Sequence, residues 1–330
     1  MLRFSFAHLL PRAAMCCLCT ALGTGSAPAD EGDDVARAVL VHIRERLPAS
    51  APLTPADEDR VTTFMHYILG RFYYPTNAHD LITAANSSVD SVETPVNASA
   101  LVEAAVTATV GALGHGARLL TTIGGGELAG TAATTRNLGS TRVVSLPSMS
   151  VSAGATHTCA DFIRNIDGGS TDGITGFVLD LRGNEGGPLT DSSCLASLFL
   201  KKGQALFQVV SKQGSPVKYE SEATGQSPIS VPVVVLIDKR TDNGGLLVAA
   251  ILQDHGRATV IGEQKDNING AVSTLLFPTG TNRAIVLPTG EIRLADKHPL
   301  AAGVRVDISV PAQDENALLS AAQSSLAQQH

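Results

Sequence analysis

Pro232–Asp254 reads PVVVLIDKRTDNGGLLVAAILQD. Val233 to Ile237 is an unbroken β-branched and aliphatic run, the pattern of a strand buried on both faces. A polar break follows from Lys239 to Gly245, and Leu246 to Leu252 is then apolar for long enough to form a helix. A strand, a tight turn and a helix N-terminus in succession expose one side chain at the turn. They also leave the first backbone N–H groups of the helix free for an oxyanion. The turn carries Thr241, Asp242, Asn243, Gly244 and Gly245, with no serine or cysteine among them.

Working outward, Gly176–Leu189 (GFVLDLRGNEGGPL) is a second buried strand followed by a glycine loop. The paired glycines let backbone approach a ligand closely and present N–H groups to it. Asp180 and Glu185 are candidate acid/base groups there, although a pairing of Asp180 with Arg182 is the simpler reading. Strands at Arg142–Leu146, Gly176–Leu181 and Ala205–Val210 alternate with helices near Cys159–Ile166 and Ser192–Phe199. That order argues for right-handed βαβ crossovers and a largely parallel sheet. Glu315–Gln328 closes the chain as a helix with Leu318, Leu319, Ala322 and Leu326 facing inward.

The first third of the chain reads as helices without evident chemistry. Asp34–Leu47 has helical spacing. Thr54 and Pro55 open a second helix that runs to about Phe72, and Asn97 caps Leu101–Leu113. The stretch between the last two is rich in Asn, Ser, Thr and Pro and reads as a loop. His66, His79 and His115 have no ligand-like spacing. Residues 121–140 are rich in Gly and Thr but lack the lysine of a phosphate loop, so they read as a linker or short hairpin. No cofactor is expected.

A net charge of −7 with mixed signs gives no basic stripe for nucleic acid, and no apolar run is long enough for a membrane span. Residues 1–29 carry the features of an export signal: Arg3 and Arg12, the apolar Ala13–Gly23, and the Ala27-Pro28-Ala29 cleavage pattern. Cleavage leaves 22 basic against 31 acidic groups and two cysteines, Cys159 and Cys194. Those two either form one disulfide in an oxidising compartment or remain as thiols.

Together these stretches resemble peptidase family S41, the tail-specific or C-terminal processing proteases. Gly176–Gly187 resembles the family's Asp-Leu-Arg-x-Asn-x-Gly-Gly strand and loop. Pro232–Asp254 aligns without a gap to its nucleophile strand, turn and helix. Gly256–Glu263 and Gly303–Val310 are similar to two later strands, and Ala104–Leu120 to the helix leading into the N-terminal subdomain. The resemblance implies a crotonase-like α/β core of βαβ and ββα units at residues 141–330. A small helical subdomain at residues 30–120 precedes it, with residues 121–140 where the family commonly has a PDZ domain.

The family's catalytic residues are not carried over. Its nucleophile turn, Ser-Ala-Ser-Ala-Ser-Glu, is Thr241 to Leu246 here, so Asn243 takes the place of the catalytic serine. Its base lysine falls at Asn269 and the accompanying glutamine at Ser273. An amide is neither a hydroxyl nucleophile nor a general base. What the resemblance leaves is the oxyanion-hole scaffold of Gly186, Gly187 and Gly244, suited to a peptide carbonyl or a C-terminal carboxylate. The expectation is therefore an exported S41-like protein that binds a peptide or protein C-terminus in an inactive cleft. Two alternatives stay open: a purely structural subunit, and a displaced dyad in which Thr241 is nucleophile and Lys265, 24 residues later, is base.

Overall fold

The computed structural model describes residues 31–120, 133–149, 163, 173–222, 229–266, 268, 270–276 and 284–329. Four helices come first: α1 (Glu31–Arg46), α2 (Pro55–Arg71), α3 (Ala78–Asp90) and α4 (Ala98–Leu113). Thr54 begins α2 with a capping box, in which its side chain accepts from Asp57 N and the Asp57 carboxylate accepts from Thr54 N. Asn97 caps α4 by accepting from Ala100 N. The loop expected between α2 and α4 instead contains α3. Asn77 starts it, and Leu81, Ala85 and Val89 recur every fourth residue on its buried face. Composition hid this helix, because the Asn, Ser and Thr residues between those three positions mask a narrow apolar stripe.

The second part of the chain begins with β1 (Arg118–Leu120), β2 (Thr134–Leu138), β3 (Thr141–Ser145) and β4 (Gly176–Asp180). Helix α5 (Leu189–Ser197), β5 (Ala205–Ser211), β6 (Val217–Glu220) and β7 (Val233–Ile237) follow. Next come α6 (Asn243–Asp254), β8 (Ala258–Gly262), β9 (Ala271–Leu276), β10 (Ala284–Leu294), β11 (Ile308–Ser309) and α7 (Glu315–Gln328). One sheet has the order β11-β8-β7-β4-β3-β2 and is parallel except for the β2–β3 hairpin. That hairpin turns at Gly139 and Ser140, so the end of the Gly/Thr-rich segment is a strand; residues 121–132 lie outside the described residues. The helix expected near Cys159–Ile166 also falls on residues almost wholly outside those described.

The parallel sheet shows why β7 and most of β4 are apolar. Phe177, Leu179, Val233, Val235 and Ile237 face a core shared with α5 and α6. Val178, Val234 and Leu236 face the opposite way, against Leu318, Ala322 and Leu326 of α7. With side chains alternating across the pleat and both faces covered, both sets of side chains in these segments are apolar. Gly176 marks the closest approach of α7: a Cβ there would lie 2.8 Å from Leu326 Cδ1.

The expectation of a largely parallel arrangement holds for that sheet only. A second, wholly antiparallel sheet has the order β1-β10-β5-β6, with β9 also paired to β10. Ile285 and Leu287 of β10 belong to the apolar core of the four helices, while Ile292 and Leu294 of the same strand belong to the core of α5 and α6. One strand thus joins the helical bundle to the parallel sheet.

Candidate active site

The site lies where β4 and β7, adjacent in the parallel sheet, end beside the N-terminus of α6. Asp238 follows β7 and organises the turn. Its Oδ1 accepts the N–H groups of Gly183 (2.9 Å), Arg240 (3.1 Å) and Thr241 (2.9 Å), tying the glycine loop to the turn. Asp242 caps α6 by accepting Asn243 N–H at 2.8 Å, where its charge also suits the positive end of the helix.

Asn184, fully buried, fastens three segments together. Its Nδ2 donates to Leu146 O at 2.8 Å, its Oδ1 accepts Gly186 N–H at 2.9 Å, and its backbone carbonyl accepts Asp242 N–H at 2.8 Å. Gly245 has to be small for this contact, since a Cβ there would lie 2.9 Å from Asn184 O and Oδ1. The motif placed Asn184 in the loop, but only the fold shows that it holds the site together.

Asn243 is exposed, has φ +43°, and donates from Nδ2 to Glu185 O at 3.0 Å. Positive φ is tolerated by Asn better than by most residues. Gly187 is exposed and Gly244 buried beside it, and neither N–H has an acceptor among the described residues. Gly186 is a correction to the expected donor set. Its N–H is taken by Asn184, and it serves as the turn, with φ +104° and no room for a side chain, since a Cβ there would lie 2.6 Å from Gly244 N. From α5, the buried Ser192 hydroxyl approaches Gly244 O at 3.3 Å, a contact that the sequence reading missed.

Thr241 and Lys265 have other partners. Thr241 is fully buried, and its hydroxyl lies 2.9 Å from Leu181 O and 3.0 Å from Asp238 Oδ1 while accepting Asp238 N–H at 3.0 Å. Lys265 does reach the turn, but it pairs with Asp242 Oδ2 at 3.1 Å and donates to Lys239 O at 3.2 Å. Ser273 lies exposed on β9 opposite Pro288, and Asn269 is outside the described residues. Cys194 is disulfide-bonded, and Cys159 lies outside the described residues.

Asp180 takes the simpler of its two readings. Arg182 grips it with two bonds of 2.8 and 2.6 Å, and donates also to Glu315 Oε2 (2.7 Å) and Ala312 O (3.0 Å). The bond to Asp180 holds the guanidinium above its already basic range. Burial pushes the Glu315 carboxyl up, but hydrogen bonds from Arg182 and Arg136 outweigh it and leave the group below its ordinary value. Glu185 is exposed, 3.5 Å from Arg240. Asp254, Asp296 and His298 bring ligand-type atoms within 4.8 Å of one another, but at the C-terminal end of α6, away from the turn.

A parallel sheet whose strand ends present a glycine loop to a turn at a helix N-terminus defines an α/β domain with a site at the carboxyl ends of its strands. Residues 140–310 match the model of peptidase family S41, and the chain belongs to that family. It is 37% identical over 119 residues to the carboxy-terminal-processing protease of Bartonella bacilliformis, covering 36% of this chain and 27% of that protein. With the carboxy-terminal processing protease CtpA of Bacillus subtilis it shares 33% identity over 106 residues, 32% of this chain and 22% of the relative. The match thus spans about a quarter of these relatives' length. A solved structure of a lipoprotein from Streptococcus agalactiae aligns with 94% of this chain and 100% of its own, with a TM-score of 0.63 at 14% identity, a likeness of fold.

Proposed function

We propose that this chain is a non-hydrolytic member of family S41 that holds a peptide segment or protein C-terminus at the old active site. The observation that carries the reading is the state of the turn. The nucleophile position is an amide bonded to Glu185 O, the Thr241 hydroxyl is buried, and Lys265 is paired with Asp242. A serine–lysine mechanism needs a hydroxyl and an amine free to take its proton, and the bonds of Thr241 and Lys265 argue against that pair in those roles. The N–H groups of Gly187 and Gly244 are the donors left for a peptide carbonyl or carboxylate. The protein acts outside the cytoplasm, after cleavage following Ala29, as the Arg3/Arg12 region and Ala27-Pro28-Ala29 support. No helix among the described residues is long and apolar enough to cross a membrane.

The test is a pair of assays on the mature protein. Casein cleavage and fluorophosphonate labelling are expected to be absent, while a peptide ending in a free apolar C-terminus binds measurably. Gly244→Pro removes one donor and constrains the turn, so binding weakens. Proteolysis by the wild type that disappears in Thr241→Ala and in Lys265→Ala overturns the reading in favour of the displaced dyad. N-terminal sequencing of the exported protein should begin at Asp30.

A further inference from the structure

The residue at the old nucleophile position is followed by glycine, and Asn243–Gly244 is chemically unlike the other contacts of the turn. The Gly244 N–H has no hydrogen-bond acceptor among the described residues, being one of the donors left over at the start of α6. Asn243 is exposed, and its φ of +43° takes it out of the regular helical geometry in which the following N–H is bonded and held. Gly244 carries no side chain to crowd the approach of its nitrogen to the preceding amide. We propose that Asn243–Gly244 is a site of intramolecular deamidation, a covalent modification that converts the nucleophile position into a carboxylate.

The step balances without an added reagent. Gly244 N gives its proton to solvent base and attacks Asn243 Cγ, forming a five-membered succinimide. The Asn243 Nδ2 leaves as ammonia after taking a proton from water. Water then adds to either ring carbonyl, giving aspartate or isoaspartate.

The product changes the site through one bond. Asn243 Nδ2 donates to Glu185 O at 3.0 Å, and a carboxylate has no proton to offer that carbonyl. The new charge also stands beside Asp242, whose carboxylate already accepts Asn243 N–H, and near the exposed Glu185. Deamidation therefore frees the backbone at Glu185 from the turn and loosens the glycine loop next to Gly187 and Gly244. The modification does not depend on peptide binding. A peptide that accepts from Gly244 N–H would slow it, so the two proposals fail separately.

The test is peptide mapping by mass spectrometry of the full chain aged in mildly alkaline buffer, beside the same chain unfolded in urea. In the folded protein, the peptide containing Asn243 should become one dalton heavier and split into aspartate and isoaspartate forms, at a rate within several-fold of the unfolded chain. Asn269–Gly270, the other Asn–Gly pair, is read on a separate peptide. A folded rate an order of magnitude or more slower overturns the proposal. So does the same mass gain in that peptide of Asn243→Gln, which cannot close a five-membered ring. Amide exchange should quicken at Gly186, whose N–H is bonded to Asn184, in aged wild type and in Asn243→Asp. Unchanged exchange in the aged protein sinks the coupling to the loop, and does so whether or not the aspartate variant folds.

Discussion

Replacing Asn184 by alanine tests whether one buried amide holds the site together. The substitution strips two partners that have no water to turn to: Leu146 O loses its 2.8 Å donor and Gly186 N–H loses its 2.9 Å acceptor. Leu146 and Gly186 are both buried. Each stranded group costs about 1–3 kcal/mol, so the variant should lose roughly 2–6 kcal/mol. The backbone bond from Asp242 N to Asn184 O survives the change, so the loop stays attached at that point. Asn184→Asp keeps the acceptor but faces Leu146 O with an oxygen and buries a charge, and should cost at least as much. Urea unfolding followed by far-UV circular dichroism is the suitable assay, since the chain has no tryptophan. The neighbouring exposed Glu185→Ala is the control, expected within about 0.5 kcal/mol of wild type. A loss below about 1 kcal/mol for Asn184→Ala would refute the reasoning, because it would mean the two backbone groups find other partners.

Gly176→Ala places a methyl 2.8 Å from Leu326 Cδ1 and should cost about 1–3 kcal/mol by overpacking. Leu326→Ala alone should cost about 2–5 kcal/mol, and in a double-mutant cycle the pair should lose less than the two single losses combined. Thr241→Val removes a buried hydroxyl that both accepts Asp238 N–H and contacts Leu181 O. The predicted loss is about 1–3 kcal/mol of stability, with peptide binding unchanged once the protein is folded. Glu315 contributes a pH dependence: its folded carboxyl lies below the ordinary 4.5, so its contribution is present above that pH and lost as pH falls through the folded value. The urea midpoint of Glu315→Gln should accordingly lie below that of wild type at neutral pH and converge with it in acid.

The sequence by itself determined the elements whose signals are local. Val233–Ile237 reads as a doubly buried strand because five consecutive aliphatic side chains leave no polar face, and it lies inside the parallel sheet. Thr54 and Asn97 announce helix starts through bonds spanning three residues, and Leu318, Ala322 and Leu326 keep a helical stripe. The glycine loop and the turn were recognisable as motifs. Tertiary structure alone decided the pairings. The antiparallel sheet depends on β10 meeting β1, β5 and β9 across long separations, and that matching of edges has no signature within any one strand. The same holds for the site. Whether Lys265 turns to Thr241 or Asp242, and whether Gly186 N–H stays open or goes to Asn184, follows from how three loops pack, because hydrogen bonds of this kind are fixed by distance in space and not by spacing along the chain.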